Sequence, residues 1–205
     1  MTVHLHVHTE YSLLSGAARI ADVCESVAAR GGNSVAITDY GNMFGAVQFY
    51  EAAKRAGVKP IMGQDTYVWW GDDVGWSRIV LLARNNEGFA NLQKISSLGH
   101  LHGFGDHPAV KLSWIRAHRE GVIGLAPASS HEQLLAYKQA LCPGHLFVRM
   151  EPWSDQASVA SMASSIGIKT VATGDCHYIH RSDAYAPEVL SAIGQSVTMA
   201  DPRRL

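Results

Sequence analysis

Apolar and polar positions along this chain repeat with two periods, and the switches between them predict the elements. Thr2–His8 alternates with a period of two, which predicts a first strand. Ile20, Val23, Cys24 and Val27 then fall at i, i+3, i+4 and i+7, predicting a helix over Ala17–Arg30 with one buried stripe, closed by Gly31-Gly32. Ser34–Thr38 reads as a second strand ending at Asp39. A helix over Gly45–Ala56 follows, with Ala46, Phe49, Tyr50 and Ala53 on one face and Gly57 as its stop. Val58–Val68 and Ile79–Ala83 are the third and fourth strands. Then come a helix over Glu87–Leu98, a loop over Gly99–Pro108, a short helix at Trp114–Arg119 and a fifth strand at Val122–Ala126. Ser130-His-Glu-Gln133 has the form of a capping box, which opens a helix running to about Leu141. Leu146–Met150 is the sixth strand. The stripe Val159, Met162, Ala163 and Ile166, ended by Gly167, is the next helix. Thr170–Thr173 is the seventh strand, and a last helix spans Ser182–Ile193.

Strands alternating with helices, without internal repeats or low-complexity linkers, predict one domain over residues 1–205. The class is α/β with a parallel sheet, either a barrel or a doubly wound sheet. His6, His8, Asp39, Asp65 and Asp175 fall at or just past strand C-terminal ends, where both architectures build their sites. With 47% apolar and 17% charged residues, the chain has the composition of a globular protein and not of a disordered one. Its 17 Lys and Arg against 18 Asp and Glu give no whole-chain argument for nucleic-acid binding. Cys24, Cys142 and Cys176 form no Cys-x-x-Cys pair, which suits free thiols in a reducing cytoplasm. No apolar run is long enough to predict a membrane span, and no secretory leader is expected.

The candidate chemistry sits near the two ends. If the opening segment is a strand, His4, His6 and His8 share a face; by the same period Asp175 and His177 share one, with Cys176 turned away. Imidazoles with carboxylates suit a divalent transition metal. A His-rich edge strand and an unrelated Asp-x-His turn would read the same way, and spacing alone does not choose between them. Asp39 is either a ligand or a helix cap, with capping preferred. Gly41-Asn-Met-Phe-Gly45 matches neither phosphate-loop pattern and reads as a turn. Trp69, Trp70 and Trp76 flank Gly71-Asp-Asp-Val-Gly75, either packing locally or marking a contact surface. No Gly-x-Ser-x-Gly elbow is present.

Four segments carry a family resemblance: His4-Leu-His-Val-His-Thr-Glu-Tyr-Ser-Leu-Leu-Ser-Gly-Ala17, Ala36-Ile-Thr-Asp-Tyr-Gly-Asn-Met-Phe-Gly-Ala46, Gly57-Val-Lys-Pro-Ile-Met-Gly63 and Gly174-Asp-Cys-His-Tyr178. They resemble the PHP (polymerase and histidinol phosphatase) domain, in the form found at the N-terminus of bacterial DNA polymerase III alpha subunits. The resemblance runs from Val3 to Asp201-Pro-Arg-Arg-Leu205 and is weakest over Trp69–Trp76 and Ala126–Trp153. It implies a distorted (β/α)7 TIM-like barrel with up to three metal ions at its mouth. Members that keep every ligand are metal-dependent phosphoesterases, and some polymerase-attached ones are 3′–5′ exonucleases. Members that have lost ligands are structural platforms, including for docking a proofreading exonuclease.

Carried over residue by residue, the resemblance keeps His6, His8, Asp65 (in place of the usual Glu), Asp175 and His177 as metal ligands. It finds Ser15, Tyr40, Arg78 and Ala128 at four positions where the family has ligands. His6, His8, Asp65 and Asp175 are the family's set for one ion, and the other two ions would each lose two of three ligands, so at most one divalent metal (Zn, Mn or Fe) is expected. Arg78, permanently cationic, is expected to fill a lost metal's place and pair with Asp65. The implied role is a structural or docking module in DNA replication, in the cytoplasm. Its implied partners are the DNA polymerase III core or a proofreading exonuclease, with DNA reached through them. No polymerase palm is read in the chain. Whether it is an enzyme stays open: the alternative is a phosphoesterase or 3′–5′ exonuclease with Asp175 and His177 catalytic, helped by His100 or His102. A histidinol-phosphatase-like enzyme is disfavoured by the polymerase-type wording of the motifs.

Overall fold

The computed structural model describes residues 2–103 and 105–201, so residues 202–205 of the last resembling motif lie outside it. One sheet carries six strands in sequence order: β1 (Ser34–Ile37), β2 (Lys59–Trp69), β3 (Trp76–Ala83), β4 (Val122–Ala126), β5 (Leu146–Met150) and β6 (Lys169–Ala172). β1 and β2 are parallel, as are β4, β5 and β6 among themselves; β3 runs antiparallel to both of its neighbours. The expected strict strand–helix alternation therefore fails at one place. Gly71 and Gly75, both with positive φ, turn β2 back on itself as a hairpin, and no helix separates the two strands.

The helices are α1 (Ile20–Ala29), α2 (Ala46–Arg55), α3 (Asn86–His102), α4 (Leu112–Ala117), α5 (His131–Ala140), α6 (Gln156–Ser165) and α7 (Tyr185–Gly194), with a 3-10 turn at Arg181–Ala184. The α1 stripe packs against Val35, Ile37 and Phe49. On α2 the buried face is Ala46, Phe49, Ala52 and Ala53; Tyr50, expected inside, is exposed. Ser130 accepts a hydrogen bond from the Gln133 N–H and starts α5 as its capping pattern predicts. α3 continues through Gly99 to His102, part of the expected loop. Gly99 fits because its backbone passes so close to Pro108 that a Cβ there would lie 2.5 Å from that carbonyl oxygen.

Alternate strand residues face inward and outward. Ala36, Val80, Leu82 and Leu125 form an inner cluster with Leu5, Ile61, Ile123, Phe147 and Val171 packed on it. A larger cluster, including Leu81, Leu92, Ile95, Leu134 and Val148, fills the space between sheet and helices. The sheet is a curled half-barrel, and the N-terminal segment closes it. Residues 4–9 lie between β1 and the chain following β6, as isolated bridges rather than the strand expected at Thr2–His8. His4 accepts from the Ala36 N–H and Val7 from the Thr38 N–H on one side. On the other, the His8 N–H donates to Cys176 and the Cys176 N–H to His6.

Trp70 and Trp76 make local contacts, with Trp76 still partly open to solvent. Trp70 donates to Ser77 Oγ at 2.6 Å and meets the Tyr137 ring edge-on. Trp76 meets Tyr67 and His107 in the same way. No helix of the described residues is long and apolar enough to cross a membrane. Cys24, Cys142 and Cys176 are free thiols.

Candidate metal centre

Closing the barrel with single bridges breaks the period-two pattern of the first segment. Leu5 and His6 both face the interior, while His4 is left exposed with its Nδ1 3.8 Å from Cys176 Sγ. Only His6 and His8 enter the mouth, both fully buried. Asp65 reaches it from β2, and Asp175 from the turn after β6, where its φ of 43° aims the carboxylate back over the imidazoles. Cys176 faces away from this group, as expected.

Four ligand-type atoms converge. His6 Nε2 lies 3.1 Å from His8 Nε2, 3.2 Å from Asp65 Oδ2 and 3.4 Å from Asp175 Oδ1. His8 Nε2 lies 3.1 Å from Asp175 Oδ1 and 3.9 Å from Asp65 Oδ2. Four donors each about 2.0–2.1 Å from a tetrahedral ion stand about 3.3–3.4 Å apart. The His6, His8 and Asp175 atoms, 3.1–3.4 Å apart, thus have the dimensions of a single-ion site, while Asp65 Oδ2, 3.9 Å from His8 Nε2, stands at its margin. Among the described residues, His6, His8 and Asp175 form the one group of His, Cys or acidic side chains close enough to share an ion, with ligand atoms within 4.8 Å of one another.

A buried chain of donors prepares His8. Asp39, neither ligand nor helix cap, accepts from the Thr9 N–H (2.7 Å), the Thr9 hydroxyl (2.8 Å) and the Ser12 hydroxyl (2.6 Å). Because Ser12 gives its only proton to Asp39, its oxygen must accept, from the Tyr40 N–H at 3.2 Å and from His8 Nδ1 at 3.0 Å. That assigns the Nδ1–H tautomer to His8 and leaves its Nε2 lone pair facing the cluster, the arrangement of a metal-ligating imidazole. Burial lowers the His8 pKa and holds the ring neutral, although the Asp175 contact pulls the other way. A bare nitrogen beside a carboxylate, with Asp65 Oδ1 also buried without a partner, suits a cation between them.

Both carboxyls are ionised. Burial pushes Asp65 upward, but the His6 hydrogen bond and the Arg78 charge outweigh it and leave its pKa below the ordinary value. Burial likewise opposes ionisation of Asp175, and its contacts with His177 and His8 carry it well below the carboxylate range.

The positions expected to have lost ligands surround this cluster with other chemistry. Arg78 stands diagonally across the β2–β3 pair from Asp65, its guanidinium 3.2 Å from Oδ2 and 4.4 Å over the Tyr40 ring. The Tyr40 ring covers His8 at 3.9 Å, and its hydroxyl lies 3.5 Å from His177 Nε2. Ser15 Oγ lies 3.0 Å from His177 Nδ1. Ala128 is exposed on the loop after β4 and offers only a methyl group. His177 stacks on His8 at 4.5 Å with Nε2 3.2 Å from Asp175, beside the four-atom cluster rather than within it. His100 is engaged by the Gly41 carbonyl and His102 by the Trp114 ring, so neither supplements the cluster.

Sequence reasoning missed Arg149. It sits on β5, only 6% exposed, with Nη1 2.8 Å from His6 Nδ1, 3.3 Å from His6 Nε2 and 3.6 Å from Glu151 Oε1. A lone arginine inside Leu-Phe-Val-Arg-Met, otherwise a fully apolar strand, was the available signal.

Comparison with known proteins agrees with this architecture. The family model described as the PHP domain matches residues 4–172. DNA polymerase III subunit alpha of Borreliella burgdorferi is 32% identical over 99% of this chain and 20% of its own length. The proteins of the same description from Thermus aquaticus and Deinococcus radiodurans are 33% and 34% identical, each over 98% of this chain and under a fifth of their own length. The chain thus spans about a fifth of these relatives. Among solved structures, an amidohydrolase from Chromobacterium violaceum superposes with a TM-score of 0.64 at 16% identity, covering 93% of this chain and 97% of that one. A protein from Bifidobacterium adolescentis described as a metal-dependent phosphoesterase gives 0.61 at 14% identity, covering 85% and 87%. These two likenesses show the fold.

Proposed function

The chain belongs to the PHP domain family, and on that premise we propose that it acts as the PHP module of a DNA polymerase III alpha-type replication protein, a structural and docking element with a reduced metal site. The observation that carries this reading is Arg78 on Asp65. Where further ions would need ligands, the mouth holds a guanidinium, a tyrosine ring and a serine hydroxyl, all engaged with the surviving residues. The remaining set, His6 Nε2, His8 Nε2, Asp65 Oδ2 and Asp175 Oδ1, would hold one ion, and zinc, manganese and iron all accept such donors. When bound, the ion would supply Lewis-acid polarisation of a phosphoryl oxygen. The chain's own residues do the rest of the work at the mouth. Ser12 and Asp39 orient His8, Tyr40 and His177 each pack against its ring, and Arg78 neutralises Asp65. The partners of this reading are the polymerase III core or a proofreading exonuclease, in the cytoplasm.

A second reading, a working phosphoesterase or 3′–5′ exonuclease, draws on Asp175 and His177. They stand 3.2 Å apart at the partly exposed edge of the cluster and could hand a proton between them. The test is turnover of bis(p-nitrophenyl) phosphate and of 3′-labelled single-stranded DNA with added Zn2+, Mn2+ or Fe2+. The docking reading predicts rates equal to those of the His8→Ala and Asp175→Asn variants. Turnover that both substitutions abolish would replace it with the enzyme reading.

A further inference from the structure

One face of the β2–β3 hairpin runs from the metal centre out to the rim of the mouth. Asp65, Tyr67 and Trp69 of β2 lie opposite Val80, Arg78 and Trp76 of β3, and Val80 belongs to the inner cluster, so all six share the inward face. Beyond Arg78 this face is aromatic. The Tyr67 and His107 rings stack at 4.4 Å, within 5° of parallel. The Trp76 indole stands nearly perpendicular to both, 4.9 Å from Tyr67 and 4.7 Å from His107. A ring that is perpendicular to two stacked rings and equally close to both lies flat across their edges. One indole face is therefore covered, and the other accounts for Trp76 being 44% exposed. Arg78, two residues along the strand, is held over the Tyr40 ring with 30% of its side chain open to solvent. One of its five N–H groups goes to Asp65 Oδ2, and among the described residues no other hydrogen bond takes up the rest.

We propose that Trp76 and Arg78 form a nucleotide subsite: a base stacks on the outer face of Trp76, and its phosphate takes the unspent donors of Arg78. Same-face neighbours on a strand are about 6.8 Å apart, a span that one nucleotide covers between its ring and its phosphate. An indole accepts any base by stacking, and the guanidinium fork matches phosphate oxygens. The tip of the hairpin sets the limit. Asp72 and Asp73 are exposed there, beyond Trp76, and repel a further phosphate, so the subsite takes one nucleotide and no strand runs on past the tip. A free nucleotide and the end of a single strand share this chemistry. The proposal goes beyond the docking reading and needs no ion, since neither Trp76 nor Arg78 supplies a ligand atom to the cluster.

The test titrates the chelator-treated full chain with deoxyadenosine 5′-monophosphate, 2-deoxyribose 5-phosphate, deoxyadenosine and a short single-stranded oligodeoxyadenylate. Indole 1H–15N signals are followed by NMR, and the one missing from Trp76→Phe identifies Trp76. In wild type that signal should move with the nucleotide at millimolar concentration and stay in place with the base-free sugar phosphate. Losing an aromatic that stacks on a base costs about 5- to 150-fold in affinity. Trp76→Ala should therefore weaken nucleotide binding at least about fivefold with a native circular dichroism spectrum, while Trp76→Phe retains most of it. The phosphate contact is read from the nucleoside, which should bind more weakly than the nucleotide in wild type and equally in Arg78→Gln. A Trp76 signal unmoved by both nucleotide and oligonucleotide, a Trp76→Ala protein that binds as well as wild type, or a nucleoside that binds as tightly as the nucleotide overturns the proposal. Binding of the free nucleotide as tight as that of the oligonucleotide supports it and names the free molecule as the source. Tighter binding of the oligonucleotide, lost when its terminal residue is abasic, supports it and names a strand end; a gain that survives the abasic terminus overturns it.

Discussion

Removing Arg78 should expose how much of the mouth is held by charge rather than by metal. Asp65 is fully buried, and the Arg78 guanidinium is the cation beside it. Breaking a buried ion pair by deleting one partner typically costs about 3–5 kcal/mol, because the other charge is left uncompensated. Two features reduce that figure here. The Arg78 side chain is 30% exposed, so solvent already screens the pair, and His6 Nε2 remains 3.2 Å from the same oxygen. Arg78→Ala should then destabilise chelator-treated protein by about 2 kcal/mol, which for a chain of this length lowers Tm by about 4–8 °C. A double-mutant cycle with Asp65→Asn isolates the pair and should return a coupling of about 1–2 kcal/mol. The acid limb shifts as well. Asp65 has a folded-state pKa below its ordinary 3.8, so its contribution is complete above that value and is lost as pH falls through the lower folded value. Without Arg78 the folded value rises and that contribution shrinks, so acid unfolding should begin at a higher pH. Urea titrations from pH 7 to 3 measure all of this. An Arg78→Ala protein as stable as wild type without metal, or a coupling near zero, would refute the idea that the guanidinium has taken an ion's place.

Other expectations follow from the same geometry. Ser12→Ala removes the acceptor for His8 Nδ1 and should weaken Zn2+ binding by about tenfold, read by chelator competition, while circular dichroism stays native. Gly16→Ala would place a Cβ 1.9 Å from the Thr9 carbonyl oxygen, so the Thr9–Gly16 turn must open; a sharp loss of Tm is expected, and an unchanged Tm would contradict the turn. The buried, neutral His8 has a lowered pKa, so as pH falls below the ordinary 6.5 the unfolded chain takes up a proton that the folded one refuses. Stability should decline through that window in wild type and less so in His8→Gln.

Where local chemistry decides structure, the sequence was readable. β4 and β5 begin and end where their apolar runs do, Ser130 caps α5, and Gly31, Gly57 and Gly167 follow their helices with positive φ. The misreadings share a cause: long-range pairing overrode the local pattern. Residues 4–9 alternate like a strand but bond to two segments far away in sequence, and the pattern slips at Leu5–His6, so His4 leaves the group. The β2–β3 hairpin was hidden by the expectation of a parallel sheet, although Gly71 and Gly75 bracketed its turn. At the site, His6, His8 and Asp175 come together closely enough to share an ion, and Asp65 lies against His6 and Arg78. Asp39, Ser12 and Arg149 were not legible as supports. Asp39 and Ser12 fix the proton of His8, and Arg149 reaches His6 from a strand far along the chain; no spacing in the sequence encodes either.

The central claim is a mouth reduced to one ion position. Elemental analysis of the purified chain after exhaustive dialysis, for wild type and His8→Ala, tests it most directly. One metal atom or fewer per wild-type chain, and none in His8→Ala, is the predicted result. Two or more atoms per wild-type chain would contradict it, because Arg78, Tyr40 and Ser15 would then not have displaced the other ions.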